Sequence, residues 1–173
     1  MDGLGIIAEL MAVAARTAPK SGGIDDIEIK IVDGPDLAKL GDEMVAYGER
    51  NGLKNFDRDG GNVKASGAVV LIGVKTAKPG GLNCGACGYS DCKGLTSAPQ
   101  ADVQFAGPNC AYKLLDLGIA LGSAVKTASL MNADNRIMYR IGAVAREMKL
   151  MDAAVIMGIP LASTGKNIFF DRK

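Results

Sequence analysis

The chain has 173 residues, of which 48% are hydrophobic and only 5% aromatic, enough for one domain with an aliphatic core. Its net charge is +1 and its basic and acidic residues are interspersed, which argues against a nucleic-acid partner. No apolar run approaches the roughly 18 residues of a membrane span. Residues 1–10 contain Asp2 and Glu9 and no basic group. They do not resemble a secretory signal, so we expect a cytoplasmic protein without a membrane partner.

In the first third of the chain, the apolar residues of 4–16 recur at helical spacing and predict a helix. In residues 27–31 isoleucines alternate with charged residues, which is typical of a half-buried strand. Residues 35–51 predict a second helix that begins with proline. The polar, glycine-rich residues 56–62 predict a loop.

Further along, residues 68–74 form a continuous apolar run and predict the central strand, covered on both faces. Residues 93–109 contain two prolines and little periodicity, so we expect a loop. Residues 111–131 predict a long, mostly buried helix, in which Gly118 and Gly122 would let another backbone approach, across a dimer for example.

Near the end of the chain, Asn132-Ala133-Asp134 offers a helix N-cap, followed by an apolar stripe to about residue 150. Residues 152–160 predict an apolar strand that ends at Pro160. The tail, residues 163–173, is expected to pack on a partner chain or to fray. Helices alternating with three strands predict an α+β fold with helices layered on a covered sheet.

All four cysteines of the chain lie in one short segment, as Cys84, Cys87, Cys92 and Cys110, and there is no histidine. A Cys-x2-Cys pair lets two thiolates converge from a tight turn, and Gly85 and Gly88 would supply the positive φ that such a turn needs. Thiolates select zinc, copper(I) or iron-sulfur clusters. The segment therefore predicts a metal site.

The spacing favours iron over zinc. Structural zinc sites most often consist of two close cysteine pairs, whereas here the third cysteine follows at x4 and the fourth is remote. Three closely spaced cysteines and a distant fourth near a proline are typical of cubane clusters. Structural zinc, and a disulfide or free thiols, remain alternatives at this point. A reducing cytosolic location disfavours the disulfide.

The motif Cys-Gly-x-Cys-Gly-x3-Cys with a distant fourth cysteine resembles the four-iron module of corrinoid iron-sulfur proteins and of uncharacterised ferredoxin-domain-containing proteins. This resemblance implies a [4Fe-4S] cluster held by all four cysteines. Residues 75–110 follow the predicted central strand and read as an inserted iron-sulfur module within a single domain of residues 1–173. We call residues 75–110 the cysteine module.

The rest of the chain resembles the nitroreductase-type flavin fold. Residues 14–23, Ala-Ala-Arg-Thr-Ala-Pro-Lys-Ser-Gly-Gly, are similar to the family segment Ala-Ala-Arg-x-Ala-Pro-Ser-x-x-Asn that runs onto the flavin. Residues 117–123 are similar to the family's Leu-Gly-Leu-Gly helix, and residues 157–160 to its Leu-Gly-Tyr-Pro strand end. The chain departs from the pattern at Lys20 and Gly23. The resemblance implies a nitroreductase-like sheet flanked by helices.

The same resemblance implies an FMN site and, with it, an FMN-dependent oxidoreductase. The candidate flavin-binding residues are Arg16, Lys20, Ser21 and Lys166, whose alternative role is to cover the surface and end a helix. The resemblance also implies a homodimer. Asp57, Asp59 and Asp91 are expected to be turn-forming residues and not acid catalysts.

The leading hypothesis is therefore an iron-sulfur protein of redox metabolism that transfers electrons through a [4Fe-4S] cluster, with a flavin-dependent reductase as its extended form. Its partner would be a redox protein or a small-molecule electron acceptor. The alternatives are a non-enzymatic electron carrier or sensor, and a structural protein that binds zinc through four cysteines. Without histidine, hydrolytic and acyl-transfer chemistry is not indicated.

Overall fold

The computed structural model describes residues 3–75 and 79–170. The helices in these ranges are α1 (Gly3–Thr17), α2 (Gly34–Arg50), α3 (Phe56–Lys64), α4 (Cys92–Ser97), α5 (Ala111–Leu130) and α6 (Tyr139–Glu147). The strands are β1 (Ile27–Asp33), β2 (Ala68–Val74), β3 (Ala101–Asp102), β4 (Ala106–Gly107), β5 (Asp134–Asn135) and β6 (Val155–Ala162). A 3-10 turn at Ser21–Gly23 joins α1 to β1.

The main sheet has the strand order β1-β2-β6-β5, and each neighbouring pair is antiparallel. Val70 of β2 lies opposite Ile31 on one side and Ile159 on the other. Every residue of β2 is buried. The prediction that residues 68–74 form the central, doubly covered strand is confirmed.

Helices cover both faces of this sheet. Val70 and Ile72 of β2 pack in one core with α1 and α5, and Val69 and Leu71 pack in a second core with α2, α3 and α6. Because side chains alternate along a strand, one apolar strand supplies both cores. The predicted α+β class, with helices layered on a covered sheet, is confirmed.

The prediction of a loop at residues 56–62 is wrong, because these residues lie within α3. A Cβ atom added to Gly60 would lie 2.6 Å from the carbonyl oxygen of Gly41 in α2. Glycine at position 60 therefore lets the two helix backbones approach more closely than side chains would permit. The glycines that indicated a loop serve helix packing instead.

Asp59 also differs from its predicted role in a turn. It lies in α3, is only 2% exposed, and its carboxylate accepts hydrogen bonds from Arg58 Nε at 2.7 Å and Arg140 Nη1 at 3.0 Å. Arg140 belongs to α6, so this ion pair ties α3 to α6. The buried carboxylate is paired, as its burial requires.

The structure also differs from the predicted elements in three other places. Residues 93–109, predicted as loop, contain most of α4 and the β3-β4 hairpin. The predicted N-cap region at 132–134 leads into β5, and α6 begins only at Tyr139. Pro160 does not end the last strand but lies inside β6, opposite Val69.

The described part of the tail packs on this chain's own core. Phe169 is 2% exposed, and Asn167 Oδ1 accepts hydrogen bonds from the backbone N–H groups of Phe169 and Phe170.

Residues 171–173 of the predicted tail, like residues 76–78 of the cysteine module and residues 1–2, lie outside the described residues. Over the described ranges, we find no helix with the length and apolar character needed to cross a bilayer.

Candidate functional site

The first two cysteines lie in a turn that depends on glycine. Gly85 and Gly88, which follow Cys84 and Cys87, have φ angles of 73° and 87°. This left-handed region is readily accessible only to glycine. The Gly88 N–H donates to the Gly85 carbonyl at 2.9 Å and closes the turn. The positive φ predicted for these glycines is confirmed.

The other two cysteines lie at helix starts. Cys92 is the first residue of α4, whose N-cap Asp91 accepts a 2.6 Å hydrogen bond from the Gly94 N–H. Cys110 is the N-cap of α5, and its carbonyl accepts hydrogen bonds from the N–H groups of Lys113 and Leu114. Asp91 thus serves as the N-cap of α4, whereas a turn was predicted for it.

All four cysteines line one cavity of about 90 Å³ between the cysteine module, the 3-10 turn and the start of α5. We call it the cysteine cavity. All four are free thiols; Cys84 is exposed and the other three are half-buried. One water molecule needs about 10–15 Å³ of such space, so the cavity has room for a group of several atoms.

The donor set of this cavity suits a thiolate-bound metal centre. It offers four sulfur atoms from a chain without histidine. In the described ranges, no three Cys, Asp or Glu side chains lie close enough together to hold one metal ion. A shared centre therefore requires the thiols to turn toward a common point within the cavity they already line. The four-cysteine metal site stays a prediction.

The cavity wall also contains a buried lysine that the sequence analysis missed. Lys113 lines the cysteine cavity and is 4% exposed. Its Nζ lies 2.6 Å from Asp26 Oδ2 and donates to the Ile24 carbonyl at 3.2 Å. The sequence did contain a signal for this lysine. Lys113 and Asp116 form a charged pair at i, i+3 within a helix predicted to be mostly buried.

Asp116 ties the 3-10 turn to α5. It is 4% exposed, and its Oδ1 accepts a 2.8 Å hydrogen bond from the Ser21 N–H. Its Oδ2 is buried without a hydrogen-bond partner among the described residues and lies 3.8 Å from Lys113 Nζ. Together, Lys113 and Asp116 hold the segment from Ser21 to Asp26 as one wall of the cavity.

Two of the predicted flavin-binding residues make contacts within the chain. Arg16 Nη1 donates to Asp25 Oδ2 and to the Ile27 carbonyl, both at 2.6 Å. Lys20 Nζ donates to the carbonyls of Ala15 and Arg16 and so caps the end of α1. Both cations are therefore engaged at the junction of α1 and β1.

The other two candidates, Ser21 and Lys166, lie in different parts of the structure. Ser21 lines the cysteine cavity, whereas Lys166 is exposed in the tail and is not among the residues that line it. The Lys166 carbonyl accepts a 2.6 Å hydrogen bond from Thr164 Oγ1. Of the four candidates, only Ser21 thus lies beside the cysteines, and the flavin assignment stays a prediction.

Solved structures with a similar fold include nitroreductases. Nitroreductase CinD from Lactococcus lactis, in complex with nicotinic acid, has a TM-score of 0.62 and 18% identity, over 96% of this chain and 84% of that chain. A nitroreductase with bound FMN from Desulfitobacterium hafniense has a TM-score of 0.58 and 12% identity, over 93% and 78%. NADPH:FMN oxidoreductase from Vibrio harveyi has a TM-score of 0.56 and 14% identity, over 94% and 60%. The nitroreductase-like fold predicted from the sequence is confirmed.

Sequence comparison identifies the family. An uncharacterized protein from Archaeoglobus fulgidus is 47% identical over 171 residues, which is 99% of this chain and 92% of that protein. Residues 106–172 match the family model "Uncharacterized protein containing a ferredoxin domain (DUF2148)". The chain therefore belongs to this family of ferredoxin-domain-containing proteins, and it carries the nitroreductase-like fold.

Proposed function

We propose that this protein binds a [4Fe-4S] cluster through Cys84, Cys87, Cys92 and Cys110 and serves in single-electron transfer. The observation that carries the proposal is that all four thiols line one cavity, although they come from one turn and two helix starts. The family and the fold both indicate a redox function.

When bound, the cluster would supply one-electron chemistry. The chain would hold it by four thiolates and favour its negative charge with the amino end of α5, which begins at Ala111 beside Cys110. Three of the four cysteines are half-buried, which limits contact with water. Exposed Cys84 marks the side from which a redox protein or a small-molecule acceptor would exchange electrons.

Metal analysis and absorbance of anaerobically purified protein test this proposal. Iron and sulfide in equal amounts, with broad visible absorption that dithionite bleaches, would support a cluster. One equivalent of zinc without visible absorption would instead support a structural zinc site, which the same four thiols suit chemically.

A flavin-dependent reductase is the second candidate, favoured by the position of Ser21 and Gly22 in the wall of the cysteine cavity. A bound FMN would supply two-electron chemistry toward an organic substrate. To bind its phosphate, Arg16 and Lys20 would have to give up their contacts with Asp25 and the end of α1. For this reason we rank the cluster first. The paired absorption bands of an oxidised isoalloxazine ring would establish FMN binding.

We also propose that the protein self-associates through the layer formed by α1 and α5. Exposed apolar side chains on these helices include Ile6, Leu10, Val13, Leu114, Leu115 and Ile119. A Cβ atom added at Gly118 or Gly122 would meet nothing within 4 Å, so this part of α5 is open to another backbone. Apolar surface of this kind is typical of protein interfaces.

A further inference from the structure

We propose that Lys113 sets the reduction potential of the redox centre in the cysteine cavity, and that Asp116 opposes it. This inference rests on the proposed function, because it concerns the same cavity. It assigns to Lys113 and Asp116 an electrostatic role that does not require either side chain to ligate metal.

The first observation in support of this inference is the position of Lys113. Among the described residues that line the cysteine cavity, it is the one cationic side chain, and its side chain is only 5% exposed. Asp91, the other charged residue of the lining, is exposed and caps α4. A buried charge acts more strongly on its surroundings than an exposed one, because little water screens it.

The second observation in support of this inference is the set of charged partners of Lys113. Asp26 and Asp116 pair with its ammonium group at 2.6 Å and 3.8 Å, yet neither carboxylate belongs to the cavity lining. Of these three charged side chains, Lys113 is therefore the one that lies at the cavity. Asp116 Oδ2 has no hydrogen-bond partner in the described chain, so its charge acts on Lys113 mainly through space.

The sign of the effect follows from charge. Thiolate ligands make a bound iron-sulfur centre negative overall, and taking up one electron makes it more negative. A nearby ammonium group stabilises the reduced form more than the oxidised form and raises the reduction potential. A nearby carboxylate does the opposite. Lys113 and Asp116 should therefore shift the potential in opposite directions.

The test is a spectroscopic redox titration of cluster-loaded protein, with Lys113→Gln, Lys113→Arg and Asp116→Asn compared with wild type. We expect a lower midpoint potential for Lys113→Gln, a value near that of wild type for Lys113→Arg, and a higher one for Asp116→Asn. General loosening of the site would not produce shifts of opposite sign. Asp116→Asn keeps the oxygen that accepts from Ser21, so its fold should be preserved.

Each outcome of this titration either supports or overturns the inference. Shifts of the same sign in Lys113→Gln and Asp116→Asn, or no shift in either, overturn the inference while the proposed cluster stands. If Lys113→Gln does not fold, Asp116→Asn alone decides, and an unchanged or lower potential overturns the inference. Wild-type protein that takes up no iron under reconstitution would overturn the proposed function, and with it this role of Lys113.

Discussion

The backbone N–H of Ser21 donates a 2.8 Å hydrogen bond to Asp116 Oδ1, which joins two residues 95 positions apart in the chain. The bond anchors the 3-10 turn to α5, because Ser21 lies in that turn, where it lines the cysteine cavity, and Asp116 belongs to α5. It also gives a buried carboxylate one of the partners that burial requires.

Asp116→Ala should lower the free energy of unfolding by about 1–3 kcal/mol, because it leaves the Ser21 N–H and Lys113 without this partner. Urea unfolding of metal-free protein measures the change. Ser129→Ala, at an exposed position of the same helix, is the matched control and should stay within about 0.5 kcal/mol of wild type. Equal stabilities for the two variants would contradict the structural role of Asp116.

Cys92→Ser should abolish stable cluster loading and leave the helices and the main sheet folded. The reason is that Cys92 lies in the cysteine module, outside both helix-sheet cores. Iron content and far-UV circular dichroism measure the two effects. Ser97→Ala, at an exposed position of the same helix α4, should load like wild type. Loss of the whole fold in Cys92→Ser would show instead that the metal organises the core.

Gly60→Ala should destabilise the protein by about 1–3 kcal/mol, since the new Cβ atom would press on the Gly41 carbonyl and force α2 and α3 apart. The neighbouring Gly61→Ala is the control, because its Cβ atom would meet nothing within 4 Å. Alanine there should stabilise α3 by roughly 0.5–1 kcal/mol. Thermal unfolding compares the two, and similar effects would contradict the close helix contact.

Asp25 should contribute stability that is lost in acid. Burial raises the pKa of its carboxyl, but hydrogen bonds from Arg16 and the Ile27 N–H, with the charges of Arg16 and Lys20, hold it below its ordinary value of 3.8. A lowered folded-state pKa means that the contribution is complete above the ordinary value and disappears as the pH falls through the folded-state value.

Asp25→Asn should therefore cost up to about 1 kcal/mol at neutral pH, a limit set by the solvent exposure of the pair. The difference from wild type should shrink as the pH falls below 3.8. Urea unfolding at a series of pH values measures it. A difference that does not change with pH would show that the ion pair with Arg16 is not its source.

Leu115→Glu should weaken self-association at least tenfold, or by about 1.4 kcal/mol, because it would place an unpaired charge in the proposed α1-α5 interface. Sedimentation equilibrium measures the dissociation constant. Val103→Glu is the control, since Val103 is 82% exposed, lies just after β3 and belongs to neither α1 nor α5. Equal dissociation constants for the two variants would locate the interface elsewhere.

Local patterns were sufficient for the central strand. The apolar run of residues 68–74 predicted β2 with its observed bounds, because a strand buried on both faces has no polar alternation. The prediction of a loop at residues 56–62 was wrong for a specific reason. Glycine lowers helix propensity, but the contact between Gly60 and Gly41 compensates for it, and that contact involves a partner 19 positions away.

By itself, the sequence determined the layered class, the central strand and the clustering of four cysteines in one segment, because periodicity and residue chemistry are local properties. Only the tertiary structure decided what surrounds those cysteines. It placed Lys113 in the cavity wall beside Asp116, and it engaged Arg16 and Lys20 at the junction of α1 and β1. These outcomes depend on which distant backbone groups and charges meet each side chain, and such meetings arise only when the chain packs.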